Sequence, residues 1–123
     1  TPACERIGVK IEMPSNHYKP GDPCYLNLRF CNVSQVPIPD TPVFLLLDVF
    51  GDYFFAPGWS TTFDHYTLTI APGQAMIEIL PAFNWPSGSG SATGLLFYAA
   101  MTDPGYTQIL GEFDSWDISW SEL

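Results

Sequence analysis

The run Pro42 to Phe50, PVFLLLDVF, limits the fold more than any other stretch: nearly every residue is apolar and its one charge is Asp48. Strands run to about 4–8 residues whereas helices need at least about 10–12. Pro39 and Pro42 before the run and Gly51 after it punctuate both ends, so it reads as a strand. Phe44, Leu46 and Phe50 fall on one face and Val43, Leu45, Leu47 and Val49 on the other. A strand apolar on both faces is covered on both sides. No convincing amphipathic helix occurs elsewhere, so one cover must be a second sheet, and the expected fold is an all-β sandwich with this strand at its centre.

The rest of the chain supplies about six more strands. Glu5 to Met13 alternates, with Ile7, Val9, Ile11 and Met13 on one side, as a half-buried strand does. Pro14 ends it, and Lys19-Pro20-Gly21-Asp22 is a turn, because proline fixes φ and glycine tolerates positive φ. Cys24 to Val33 alternates again, with Leu26, Leu28 and Phe30 inward. The loop Ser34 to Thr41 holds Pro37 and Pro39 and cannot donate a full ladder, which predicts a change of sheet. Phe63 to Ile70 and Ala75 to Pro81, joined at Pro72-Gly73, are expected to form a hairpin. Ala82 to Gly94 is a polar loop around Trp85-Pro86, Leu95 to Thr102 is a further strand, and the last strand is expected from Thr107 through Ile109 and Leu110 towards Phe113. About seven strands and no helix result.

With 123 residues the chain is the size of one domain and can bury a single core. Residues 1–4, opening Thr1-Pro2, read as the remnant of a Thr/Pro-rich linker, and 5–123 as a single β-sandwich domain. Four Lys plus Arg against 13 Asp plus Glu give a net charge of −9, which repels phosphate backbones and anionic lipid; nucleic acid is not an expected partner. No stretch has the roughly 20 apolar residues of a membrane helix, and no signal segment opens the chain. The expectation is a soluble, secreted or cell-surface module.

Cys4, Cys24 and Cys31 make an odd count, leaving one bridge and one thiol. If the first two long strands pair about residues 14–23, opposed positions sum to about 37, which sets Cys4 beside Cys31 to Val33. Cys24 and Cys31 share a strand, on opposite faces and too far apart to bridge. Cys4–Cys31 is the expected disulfide; three buried thiols are the alternative.

The order Lys19-Pro20-Gly21-Asp22, a strand ending at Asn32, the central strand, Leu68-Thr69-Ile70-Ala71-Pro72-Gly73-Gln74, and then Gly94 opening a strand that ends at Asp103-Pro104 resembles bacterial extracellular immunoglobulin-like domains of the CARDB type. The resemblance covers roughly residues 19–113. It implies an antiparallel sandwich serving as an adhesive or spacer module, without catalysis. The segment Tyr53 to Trp59 and the tail Ser115 to Leu123, with Trp116 and Trp120, are richer in aromatics than a plain spacer requires.

No constellation for catalysis stands out, and an enzyme is not expected. His17 and His65 lack helical zinc spacing. Asp114 and Asp117 are a candidate acid/base pair, although an acidic surface produces such pairs by default. In an immunoglobulin-like sandwich the first, third and fifth loops lie at one end. Here they carry His17 and Tyr18, then Tyr53 to Trp59, then Asn84 and Trp85, and the last strand delivers Trp116 and Trp120 to the same end. Tyr53, Trp59, Trp85 and Trp116 are therefore the candidate ligand-binding residues, with a polysaccharide or cell-surface partner stacked on their rings. The competing reading is that the rings plug the open end of the sandwich. No cofactor is expected; Asp52, Asp64, Asp114 and Asp117 approach this end and would suit Ca²⁺, without an EF-hand spacing. Edge strands offer a further route to neighbouring domains or subunits. Two functions remain open, a carbohydrate-binding module and a structural or adhesive spacer or filament subunit.

Overall fold

A computed structural model of the chain describes residues 6–88 and 90–122. It has nine strands: β1 (Gly8–Glu12), β2 (His17–Tyr18), β3 (Pro23–Asn32), β4 (Ile38–Val49), β5 (Asp52–Phe55), β6 (Tyr66–Ile70), β7 (Gly73–Asn84), β8 (Ala92–Met101) and β9 (Asp114–Trp120). They form two sheets. The smaller has the order β1-β3-β7, the larger the order β2-β9-β8-β4-β5, with β6 also paired to β4. Among the described residues there is no helix.

The alternation read in β3 is the alternation that packs. Cys24, Leu26, Leu28 and Phe30 are buried and meet Val43, Leu45, Leu95, Phe97, Ala99 and Met101 from the larger sheet. The pleat sends successive side chains to opposite faces, so β4 buries Val43 and Leu45 between the sheets and turns Phe44, Leu46 and Asp48 outward. β8 runs along one edge of β4, and β5 and β6 share the other. The strand is central, but its outer face is covered by loop aromatics rather than by a further sheet.

The change of sheet expected between residues 34 and 41 occurs, and Asn32 organises it. Its buried amide donates to the Val36 carbonyl at 2.9 Å and the Ile70 carbonyl at 3.1 Å, while its Oδ1 accepts from the Ser34 amide at 3.0 Å and the Ser34 hydroxyl at 2.7 Å. A buried polar side chain satisfied in this way fixes the path of a proline-containing crossover at no desolvation deficit.

Four expectations are corrected. Phe63–Ile70 and Ala75–Pro81 are not a hairpin: β6 pairs with β4 and β7 with β3, so Pro72-Gly73 carries the chain between sheets. The final strand does not start near Thr107 but runs Asp114–Trp120, with Trp116, Ile118 and Trp120 on one parity as expected; residues 103–108 form a turn in which Asp103 accepts from Thr107 N (2.8 Å), Thr107 Oγ1 (2.6 Å) and Gln108 N (2.9 Å). Two short strands, β2 and β5, fall in segments read as loops; β5 closes on β4 through Phe50 and Gly51, both at positive φ, the geometry of a two-residue hairpin turn. The register of β1 on β3 pairs Gly8 with Cys31, so opposed positions sum to 39 rather than 37. A slip of two keeps every side chain on its expected face. Cys4 lies outside the described residues, and with it the Cys4–Cys31 pairing; Cys24 is a free, buried thiol.

Candidate functional site

The end of the sandwich nominated by the loop order does collect aromatics. Tyr18 is fully buried. Trp85 stacks on it with ring centroids 5.1 Å apart, and Trp120 packs on Trp85 at 5.2 Å. The backbone locks the cluster, since Gly21 N donates to the Trp85 carbonyl at 2.9 Å and Trp85 N to the Asp22 carbonyl at 2.8 Å. The Tyr18 hydroxyl donates to the Ser15 carbonyl at 2.8 Å, and the Trp116 indole N–H donates to the same oxygen at 3.1 Å. Burial, reinforced by the neighbouring Cys24 thiol, drives the Tyr18 hydroxyl's ionisation above its usual range, and burial raises that of Cys24. Such a cluster closes the end of the core.

The four nominated rings do not share one platform. Trp116 stands opposite Phe97 on the inner face and is half-buried. Trp59 packs edge-on against Phe97 at 6.0 Å, and lines an open, apolar pocket of about 450 Å³ with Leu47, Val49, Phe54, Leu80 and Phe97. Trp85 belongs to the end plug. Tyr53 alone faces solvent, 48% exposed, opposite Asp48 on the outer face of the larger sheet.

That outer face carries the aromatic surface that strand parity alone does not reveal. Phe63 is 58% and Tyr106 52% exposed; their rings meet at 5.6 Å, Phe63 packs on Phe44 at 5.4 Å and on Phe55 at 5.9 Å, and His65 sits 5.3 Å from Tyr106. His65 Nδ1 lies 2.9 Å from the Tyr66 carbonyl, which can only accept, so Nδ1 carries the proton and Nε2 accepts from the Tyr106 hydroxyl at 3.0 Å. The Asp103 turn holds the loop that presents Tyr106, and its hydrogen bonds, that from the Thr107 hydroxyl first, keep the Asp103 carboxyl below its usual range. Phe44, Phe55, Phe63 and Tyr106 thus form a joined group of rings over β5 and β4, and Tyr53, opposite Asp48, shares their face. Sequence reading missed Phe63 and Tyr106 because Phe63 was placed inside a strand and Tyr106 in a turn before the last one; the available signal was the apolar outer parity of β4, which required a cover.

The acid and histidine candidates separate. Asp114 faces inward and accepts from Ile11 N at 2.9 Å, tying β9 to β1, while Asp117 faces outward and accepts from Asn16 Nδ2 at 3.2 Å. Lying on opposite faces of one strand, they cannot act on one substrate atom as a pair. His17 bonds Ser119 Oγ at 2.8 Å and Ser121 Oγ at 3.0 Å on the β2–β9 edge, away from His65. Of the acids considered for Ca²⁺, Asp52 opens β5 opposite Val49, and Asp64 Oδ1 accepts from His65 N at 2.9 Å. Among the described residues no three His, Cys, Asp or Glu side chains gather as a metal site would require.

No protein-family model matches the chain, and no curated protein matches it significantly by sequence. The solved structures similar in fold include two of one domain. The crystal structure of the CARDB domain of the PF1109 protein from Pyrococcus furiosus, in complex with di-metal ions, aligns over 97% of this chain and 94% of that chain, with a TM-score of 0.58 and 16% identity. The solution NMR structure of the same domain aligns over 92% of each chain, with a TM-score of 0.55 and 16% identity. With both sheets, their order and this alignment in view, the chain has the immunoglobulin-like β-sandwich fold of a CARDB domain.

Proposed function

We propose that the chain is a non-catalytic, secreted or cell-surface module that binds a neutral polysaccharide through the outer face of its larger sheet. The observation that carries this reading is the solvent-facing pair Phe63 and Tyr106, packed on Phe44 and Phe55, with the exposed Tyr53 on the same face. Aromatic faces pack against the apolar C–H faces of sugar rings, while the Tyr53 and Tyr106 hydroxyls and the Asp48 carboxylate opposite Tyr53 offer partners to sugar hydroxyls. Rings seated on a sheet are pre-organised, so little ordering cost offsets the contact. Non-catalytic action is supported by the separation of the acids and of the two histidines. The Pyrococcus domain is described with two metal ions; no Ca²⁺ or other metal is proposed here, because the donors considered do not converge.

The extracellular setting accords with a Cys4–Cys31 disulfide, which we include in the proposal; mass spectrometry of non-reduced peptides should join those two cysteines, and a peptide joining Cys24 to either would reject it. The binding test is a glycan array with insoluble-polysaccharide pull-down. Retention should barely change between 50 mM and 500 mM salt, since stacking on an acidic surface does not depend on ionic attraction. Steep salt dependence, or no retained glycan, counts against it. In that event the structural or adhesive spacer, or filament subunit, takes its place, a reading favoured by the inward packing of Trp59, Trp85 and Trp116.

A further inference from the structure

The two long sides of the sandwich are finished differently. On the β1 side the chain laces the sheets together: Val9 N donates to the Glu112 carbonyl at 3.1 Å, Glu112 N to the Ile7 carbonyl at 2.8 Å, and Ile11 N to Asp114 Oδ2 at 2.9 Å. On the β7 side no comparable backbone bond joins Ala75–Leu80 to the facing sheet among the described residues. β7 is the edge of a three-stranded sheet and among the described residues pairs with β3 alone, while the facing sheet continues past β4 to β5. β1 packs against β8 and β9, so β7 lies on the β4–β5 side of the sandwich. There an open apolar pocket is lined by Leu80 of β7 together with Leu47, Val49, Phe54, Trp59 and Phe97.

We infer that this side accepts a single extended segment from a partner protein, added as a fourth strand along Ala75–Leu80 of β7. A strand added about 4.8 Å beyond β7 would send every second side chain towards the inner side, where the pocket opens. Its main chain takes the hydrogen bonds of the free edge, and its inward side chains supply specificity. Charge decides between occupants: a second copy pairing β7 to β7 would set an equally acidic chain, of net charge −9 and with its own exposed Glu78, against this one, whereas a basic segment of another protein is attracted. Pro81, which has no N–H, ends the usable ladder. The segment has apolar residues at alternate positions. Its outward positions carry Lys or Arg rather than Asp or Glu, because Glu78 is exposed on the edge and the chain's net charge is −9.

The probe is a displayed library of random twelve-residue peptides selected on the intact chain. Recovered peptides should alternate apolar and polar residues with net positive charge, and should lose at least about tenfold in affinity, equivalent to about 1.4 kcal/mol, against Leu80→Glu. They should bind Phe63→Ala as they bind the parent, which separates this site from the outer face. Peptide variants keep the test independent of protein folding: N-methylation of the alternate amides that face β7 should abolish binding, and N-methylation of the opposite set should leave it within about threefold. Failure to recover any peptide, or equal effects of the two N-methylated sets, overturns the inference.

Discussion

Replacing Trp85 by alanine should destabilise the domain while leaving ligand binding intact. Deleting a large aromatic from a core costs about 3–5 kcal/mol. Trp85 is only half-buried, so the upper part of that range does not apply, but its ring is held by Tyr18 at 5.1 Å, Trp120 at 5.2 Å and Phe83 at 6.2 Å. Aromatic pairs contribute about 0.5–1.5 kcal/mol each beyond area burial, and the expected loss is about 2–3 kcal/mol. The two backbone bonds between the Trp85 peptide and residues 21 and 22 do not involve the ring and should persist, so the loss belongs to the side chain. For a domain of this size 1 kcal/mol moves Tm by about 4 °C, which gives a fall of about 8–12 °C. Thermal melts followed by near-ultraviolet circular dichroism measure it, and Trp85→Phe should recover about half. A fall of less than about 2 °C would show that the ring contributes nothing to the end of the core and would return Trp85 to the list of binding residues.

Gly111→Ala should be among the most damaging single changes, because Gly111 has φ +72° and an added Cβ would lie 1.9 Å from the Ile7 carbonyl oxygen; the expected result is a cost above about 3 kcal/mol in urea titration, and a near-neutral outcome would show that the 110–112 segment does not dock on β1 as described. Phe50→Asn should stabilise by about 0.5–1 kcal/mol, since Phe50 holds φ +53° in the β4–β5 turn and is 75% exposed, a position suited to Asn-Gly; a destabilised variant would mean the ring has a contact that outweighs its strained backbone. Stability should fall as pH rises above about 10, the ordinary tyrosine value, because the unfolded chain releases the Tyr18 proton there while the folded chain retains it. Urea midpoints at pH 9 and pH 11 measure this, Tyr66 adding in the same direction; a Tyr18→Phe variant with the same alkaline slope would contradict it.

Strand content was legible wherever periodicity and punctuation agreed. β3 and β4 satisfy both, and the inward face of β3 is the one expected. Pairing was less legible, because a Pro-Gly turn reads alike whether the next strand returns beside its predecessor or crosses to the other sheet; only the partners of β6 and β7, distant in sequence, decide that. The segment 107–113 looked like a strand from Ile109 and Leu110, but Asp103 closes a turn on Thr107 and Gln108 that consumes the local hydrogen bonds. The candidate site was half legible. Loop order placed Tyr18, Trp85 and Trp120 together correctly, yet whether a ring is displayed or plugged depends on the register that aims it. Phe63 and Tyr106 lie more than 40 residues apart in sequence and meet only through the outer parity of β4.

The most direct measurement is a side-by-side pull-down of the parent chain, the Phe63→Ala/Tyr106→Ala double variant and Trp85→Ala on whichever insoluble polysaccharide the parent retains. Aromatic platforms that stack nucleobases lose on the order of 1–3 kcal/mol per stacked base when the ring is removed; carrying that magnitude over to sugar rings, the double variant should lose at least tenfold in retention with Tm lowered by only a few degrees, while Trp85→Ala should bind like the parent below its reduced melting temperature. Retention unchanged in the double variant but lost in folded Trp85→Ala would contradict the account and move the site back to the end of the sandwich.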